Sequence, residues 1–196
     1  MILYHMSDAA EIGKRLIPDA KGCREVCEPF VRALEVGWDC FLAMMLNAEY
    51  MYAVLNKYHL REWSNYAKWA TEGIFEYIRR KEFPECVSRV GCVFCYDDLG
   101  FSKRLYREDW SEESEEDRGK LRLFKVEADG RTDRRDMTLY DTAYDALSEN
   151  RDSDAAMDFA RRYFSGEQSE KAVWEYLCAD GAAVVEDISY ILHRNE

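Results

Sequence analysis

The chain has 196 residues, 47% of them hydrophobic and 34% charged, with a formal net charge of −12. That length suits one domain burying its own core without disulfide staples, and the composition excludes a disordered chain. The acidity argues against non-specific nucleic-acid binding, since like charge repels phosphate. The basic runs are short, Arg79-Arg80-Lys81 and Arg134-Arg135.

The periodicity predicts a first strand over 2–6, followed by a turn capped by Ser7. Gly13 and Pro18 punctuate the next stretch, so 12–29 is expected as loop with a little helix. Phe41, Leu42, Met45, Leu46, Tyr52 and Ala53 recur at three and four, predicting one helix over 38–57. A second is expected over about 61–81, joined by the short connection 56–59 and packed antiparallel to the first. Phe83-Pro84 ends it.

Residues 87–96 are β-rich, Asp97-Asp98 caps a short helix over 98–106, and 108–119 is an acidic solvated loop. Residues 120–127 alternate as a strand, and Gly130 turns the chain. Helical spacing returns over 138–147 and 153–164, and Gly166 stops the second of these. Two closing strands, 173–179 and 182–188, flank Asp180-Gly181, a hairpin signal. Strands bracketing a helical insert over about 38–82 predict a single α+β domain.

No G-x-G-x-x-G, Walker A or H-E-x-x-H pattern occurs, and there are three histidines, His5, His59 and His193. The seven cysteines sit in apolar runs, as reduced buried thiols do, so no disulfide or metal is expected. Cys23/Cys27 and Cys92/Cys95 have the count for a zinc site, but the second pair falls in a strand pattern, where residues three apart face opposite ways. With no secretory pattern and no membrane-length apolar run, the expected location is the cytoplasm, with no membrane partner.

Three phrases carry chemistry. Tyr4-His5 places an imidazole at the end of the first strand. Arg79-Arg80-Lys81-Glu82-Phe83-Pro84 leads through Ser88-Arg89 to Phe94. Glu175 lies in the apolar run Trp174 to Leu177, where an acid is costly to bury unless satisfied. Between them come Phe124-Lys125-Val126-Glu127, Met137-Thr138-Leu139-Tyr140-Asp141 and Tyr163-Phe164-Ser165-Gly166. In this order the phrases resemble the ADP-ribosyltransferase-like proteins, in particular a group of small bacterial and phage proteins with a helical insert.

The resemblance implies a split β-sandwich that holds NAD as a substrate, without a metal, and transfers ADP-ribose to an acceptor, a protein among the candidates. It implies Glu175 as the catalytic acid. It implies His5, Ser88 and Arg89 as contacts to the dinucleotide, with Phe94, Tyr96 and Tyr140 as further candidates. The position two before Glu175 is Val173, where many active members carry an acid or Gln, which points away from protein-arginine modification. His5, Ser88-Arg89 and Glu175 are expected to converge on one cleft. The competing expectation is a non-catalytic interaction module, presenting an exposed apolar patch on the helical insert.

Overall fold

The computed structural model describes residues 1–18, 20–58, 63–108 and 119–192. In chain order the elements are β1 (Ile2–Ser7), β2 (Arg15–Leu16), α1 (Ala20–Val36), α2 (Trp38–Leu46), α3 (Ala48–Lys57), α4 (Trp63–Glu82), β3 (Val93–Tyr96), α5 (Leu99–Glu108), β4 (Arg122–Glu127), β5 (Thr132–Asp136), α6 (Met137–Asn150), α7 (Ser153–Ser165), β6 (Trp174–Cys178) and β7 (Ala182–Asp187). Most of the acidic run 108–119, together with His59 and His193, lies outside the described residues. The chain is mixed α+β, as expected, and divides into two compact units.

The first unit holds Met1–Pro18, Cys92–Arg134 and Trp174–Glu196. Its strands join an antiparallel sheet in the order β2-β7-β4-β1-β3-β6-β5. Gly181 takes the left-handed turn expected of Asp180-Gly181, with φ of 76°. The strands it joins do not pair, however: β4, β1 and β3 lie between β6 and β7. A flat sheet would hold β6 and β7 about 19 Å apart at ~4.8 Å per strand, whereas the connection from Cys178 to Ala182 reaches at most about 14 Å. The sheet therefore curls, and β6 and β7 reach the turn from its two halves.

Both halves supply one core: Leu3, Val93, Cys95, Phe124, Val126, Tyr176, Cys178 and Val184 are buried together. On the other face Leu123, Ile188 and Leu192 pack with Tyr4, Leu99 and Tyr106, so α5 and the C-terminal turn cover that side. β5 has no counterpart among the expected elements, because Asp133, Arg134 and Arg135 carry no apolar alternation.

The second unit holds Asp19–Gly91 and Arg135–Val173, and is helical. The loop expected over 12–29 is corrected by α1, which runs straight through Pro29. Proline deprives the Glu25 carbonyl of its helical donor, yet Cys27, Phe30, Val31 and Leu34 form a buried stripe whose packing outweighs that loss. The helix expected over 38–57 is two helices, parted at Asn47, whose side chain caps α3 by accepting from the Tyr50 N–H at 2.9 Å. Only Val93–Tyr96 of the β-rich run is strand, and Arg89–Gly91 is a 3₁₀ turn. Phe75 sits edge-on to Tyr140 and Tyr163, tying α4 to α6 and α7.

Candidate functional site

Strand register decides which of the sequence-derived residues meet. Tyr4 pairs with Tyr96, and Tyr96 pairs with Glu175, so these three form a row across β1, β3 and β6 on one face. Phe94, two residues before Tyr96 and opposite Leu177, shares that face. Glu175 is 1% exposed, while Tyr96 is half-buried with its ring edge-on to Phe101 of α5.

His5 follows Tyr4 in the strand, so its side chain takes the opposite face, where it pairs with buried Phe124. The expected convergence of His5 and Glu175 on one cleft is therefore not met: alternation along β1 separates them. The His5 ring bonds the Phe94 carbonyl at 2.7 Å. Burial lowers its pKa, partly offset by that carbonyl. The imidazole is thus neutral, and Nδ1 must carry the proton it donates, because a carbonyl only accepts. His5 pins β1 to β3 and brings no positive charge.

The other predicted contacts belong to the second unit. Glu72 and Glu76 lie one turn apart on α4, and both are buried. Arg89 donates to Glu72 at 3.1–3.3 Å and to the Tyr163 hydroxyl at 3.0 Å, and its guanidinium lies 3.8 Å from the Tyr140 ring centroid. Ser88 donates to Glu76 at 2.8 Å, alongside Arg79 and Arg80 at 2.8–2.9 Å. Burial pushes the Glu76 carboxyl up, but Arg79, Ser88 and Arg80 outweigh it and hold it below the usual range.

The phrase from Arg79 to Arg89 therefore has an internal explanation, since it neutralises two carboxylates on one helix. Ser88, Arg89 and Tyr140 come together in this cluster. Nothing in the sequence announced Glu72 and Glu76 as its partners except their spacing of four on a helix.

Two features escaped the sequence reading. In the first unit the Tyr176 hydroxyl donates to Asp97 at 2.7 Å, and Arg134 stacks 3.7 Å over Trp174. In the second, a cleft of about 750 Å³ opens between α1, α2 and α3, lined by Pro29, Val36, Cys40, Met44, Tyr50 and Tyr58 among others. Val36 is 80% exposed there, and Leu46, Tyr50 and Tyr52 are also exposed. None of the sequence-derived candidates lines it.

Among the described residues, no three His, Cys, Asp or Glu side chains are placed to hold a metal ion, and no helix is long and apolar enough to cross a membrane. A family model described as "Protein of unknown function (DUF2441)" matches residues 40–190. No curated protein matches the chain.

Proposed function

The chain belongs to the DUF2441 family, and on its own residues we propose that it is an ADP-ribosyltransferase-like protein that takes NAD as substrate, with Glu175 as the acid. The observation that carries the reading is the pairing of Glu175 with Tyr96 on adjacent strands, in a row completed by Tyr4. Support also comes from the order of phrases along nearly the whole chain and from a sheet curled about one core.

In this reading the bond from nicotinamide to ribose breaks and positive charge builds on the ribose. A carboxylate beside it stabilises that charge and orients the acceptor. Phe94 or Tyr96 supplies the ring on which nicotinamide stacks. The acid and the rings fit NAD. The cation expected for its diphosphate does not, because Arg89 is committed to Glu72. His5 leaves the reacting row: its ring bonds the Phe94 carbonyl from the opposite face of the sheet.

The test is titration with NAD and an assay of nicotinamide release, on wild type, Glu175→Gln, Tyr96→Ala and His5→Ala. The reading expects Glu175→Gln to retain NAD affinity within about 2-fold while losing release by roughly 100-fold or more. Tyr96→Ala weakens binding. His5→Ala, on the far face, leaves affinity unchanged. Absence of binding at millimolar NAD ends the reading.

A second reading, a non-catalytic interaction module, is favoured by the exposed Val36, Leu46, Tyr50 and Tyr52 on the α1–α3 helices. It predicts that the NAD titration is flat and that a purified partner protein protects those residues from hydrogen exchange.

A further inference from the structure

The helices α1, α2 and α3 make an incomplete cluster within the second unit. α2 packs against both of the others, while α1 and α3 share no substantial contact among the described residues. The cleft of about 750 Å³ lies between these three helices. Ala33 and Met44 are its buried lining, and Val36, Cys40, Ala43 and Tyr50 are its exposed lining.

The sequence of α2 is out of keeping with an open side. Its nine residues, Trp38–Leu46, carry a single charge, Asp39. A helix that is apolar nearly all round is one covered on every side. Phe41 and Met45 are covered by the chain itself, but Cys40, Ala43 and Leu46 are exposed. Cys40, Ala43, Met44 and Asn47 recur at three and four along the cleft, the spacing on which another helix packs.

Charge around the cleft is one-sided. The stretch that lines it, 25–58, carries the carboxylates Glu25, Glu28, Glu35, Asp39 and Glu49 against two cations, Arg32 and Lys57. Arg32 is already paired with Glu28 at 3.5 Å, and Lys57 lies 4.9 Å over the ring of Tyr58. Glu25, Glu35, Asp39 and Glu49 have no ion-pair partner among the described residues.

We propose that this cleft is the docking groove for a basic amphipathic helix of a partner protein. The incoming helix lays its apolar stripe on Val36, Ala43 and Met44 and sets its lysines or arginines against the acidic rim. Met44 and Cys40 are soft side chains that adapt to the stripe they meet. The sign of the rim selects the occupant. A second copy of this chain brings a net charge of −12 against it, and phosphate on a lipid surface or nucleic acid is repelled in the same way. A basic helix reverses that sign and covers the open side of α2. The proposal rests on the interaction-module reading and names the partner that reading leaves open.

The experiment titrates the full chain with a synthetic capped peptide in which Leu-Lys-Lys-Leu-Leu-Lys-Leu is repeated twice, and with analogues carrying Glu or Gln in place of every Lys. The lysine peptide is expected to bind, to weaken as salt rises, and to slow hydrogen exchange in α2 and α3. The glutamate analogue is expected to bind at least about 10-fold more weakly. Ala43→Asp separates the groove from bulk charge. It adds a negative charge, so attraction by net charge alone leaves binding unchanged or tighter, whereas a charge placed under the apolar stripe weakens it about 10-fold or more. Ala43 is exposed, so the variant keeps the fold. The rim variant Glu35→Lys with Glu49→Lys weakens binding and flattens its salt dependence. No binding of the lysine peptide, protection outside α1–α3, or an Ala43→Asp chain that binds as wild type overturns the proposal. A glutamine analogue that binds these helices as tightly as the lysine peptide overturns the basic occupant while the interaction-module reading stands. That reading fails separately, by nicotinamide release from NAD.

Discussion

Replacing Arg89 by alanine separates a structural from a ligand-binding role for that side chain. Its guanidinium is 6% exposed and Glu72 is 7% exposed, and together they make a buried pair at 3.1 Å. Removing one member leaves the other charge without compensation, which costs about 3–5 kcal/mol. The Tyr163 hydroxyl loses a donor at 3.0 Å, worth about 1 kcal/mol, and the stack on Tyr140 is lost as well. These terms overlap, so the expected loss is about 4 kcal/mol, or roughly 10 °C in Tm for a chain of this length. Urea unfolding should show the midpoint falling with the slope unchanged. The double variant Arg89→Met with Glu72→Leu removes both charges and should recover at least half of the loss. A single variant that loses less than about 1 kcal/mol while NAD binding disappears would refute the structural account and return Arg89 to the ligand.

Two further outcomes follow from the same packing. Asp136 caps α6 and accepts from the N–H groups of Thr138, Ser169 and Val173 at 2.8–3.1 Å; burial pushes its carboxyl up, but these bonds outweigh it and hold it below the ordinary aspartate value. Its contribution is therefore complete above the unfolded value and lost as pH falls through the lower folded value, so urea midpoints measured from pH 6 to 2 should drop less in Asp136→Asn than in wild type. Gly73→Ala improves helix propensity by about 1 kcal/mol, but the new methyl overlaps Phe30 Cβ where α1 crosses α4. Overpacking of about 1–3 kcal/mol should win, and calorimetry should find Tm lowered, whereas a raised Tm would show that α1 can shift.

Much of the element plan was legible because periodicity is local. Tyr66, Ala70, Ile74, Tyr77 and Ile78 marked α4, and the structure buries all of these but Tyr77, which is half-buried. Gly166 stopped α7 in the left-handed conformation, with φ of 82°. The misses have physical causes. Gly13 and Pro18 made 12–29 read as mostly loop, but α1 begins at Ala20 and survives Pro29 because its apolar stripe is buried against α4. Asn47 read as one more helical position, yet its side chain competes for the backbone and starts a new helix. The Asp180-Gly181 turn was in place, but a turn residue states only that the chain reverses, and not which strand the next one will pair with.

The candidate site divides along the same line. The sequence by itself determined residue types and their order, including Glu175 in an apolar strand and Ser88-Arg89 after Phe83-Pro84. It also determined that Tyr4 and His5 must face opposite ways if both are in a strand, since side chains alternate. Only the tertiary structure decided that Tyr4, through its register with Tyr96, shares a face with Glu175 while His5 does not. Only packing committed Arg89 to Glu72, because a buried carboxylate needs a cation and the turn Arg89–Gly91 brings one against α4. Local periodicity is written in the chain, whereas strand register and ion pairing are set by groups tens of residues apart that meet only when the core forms.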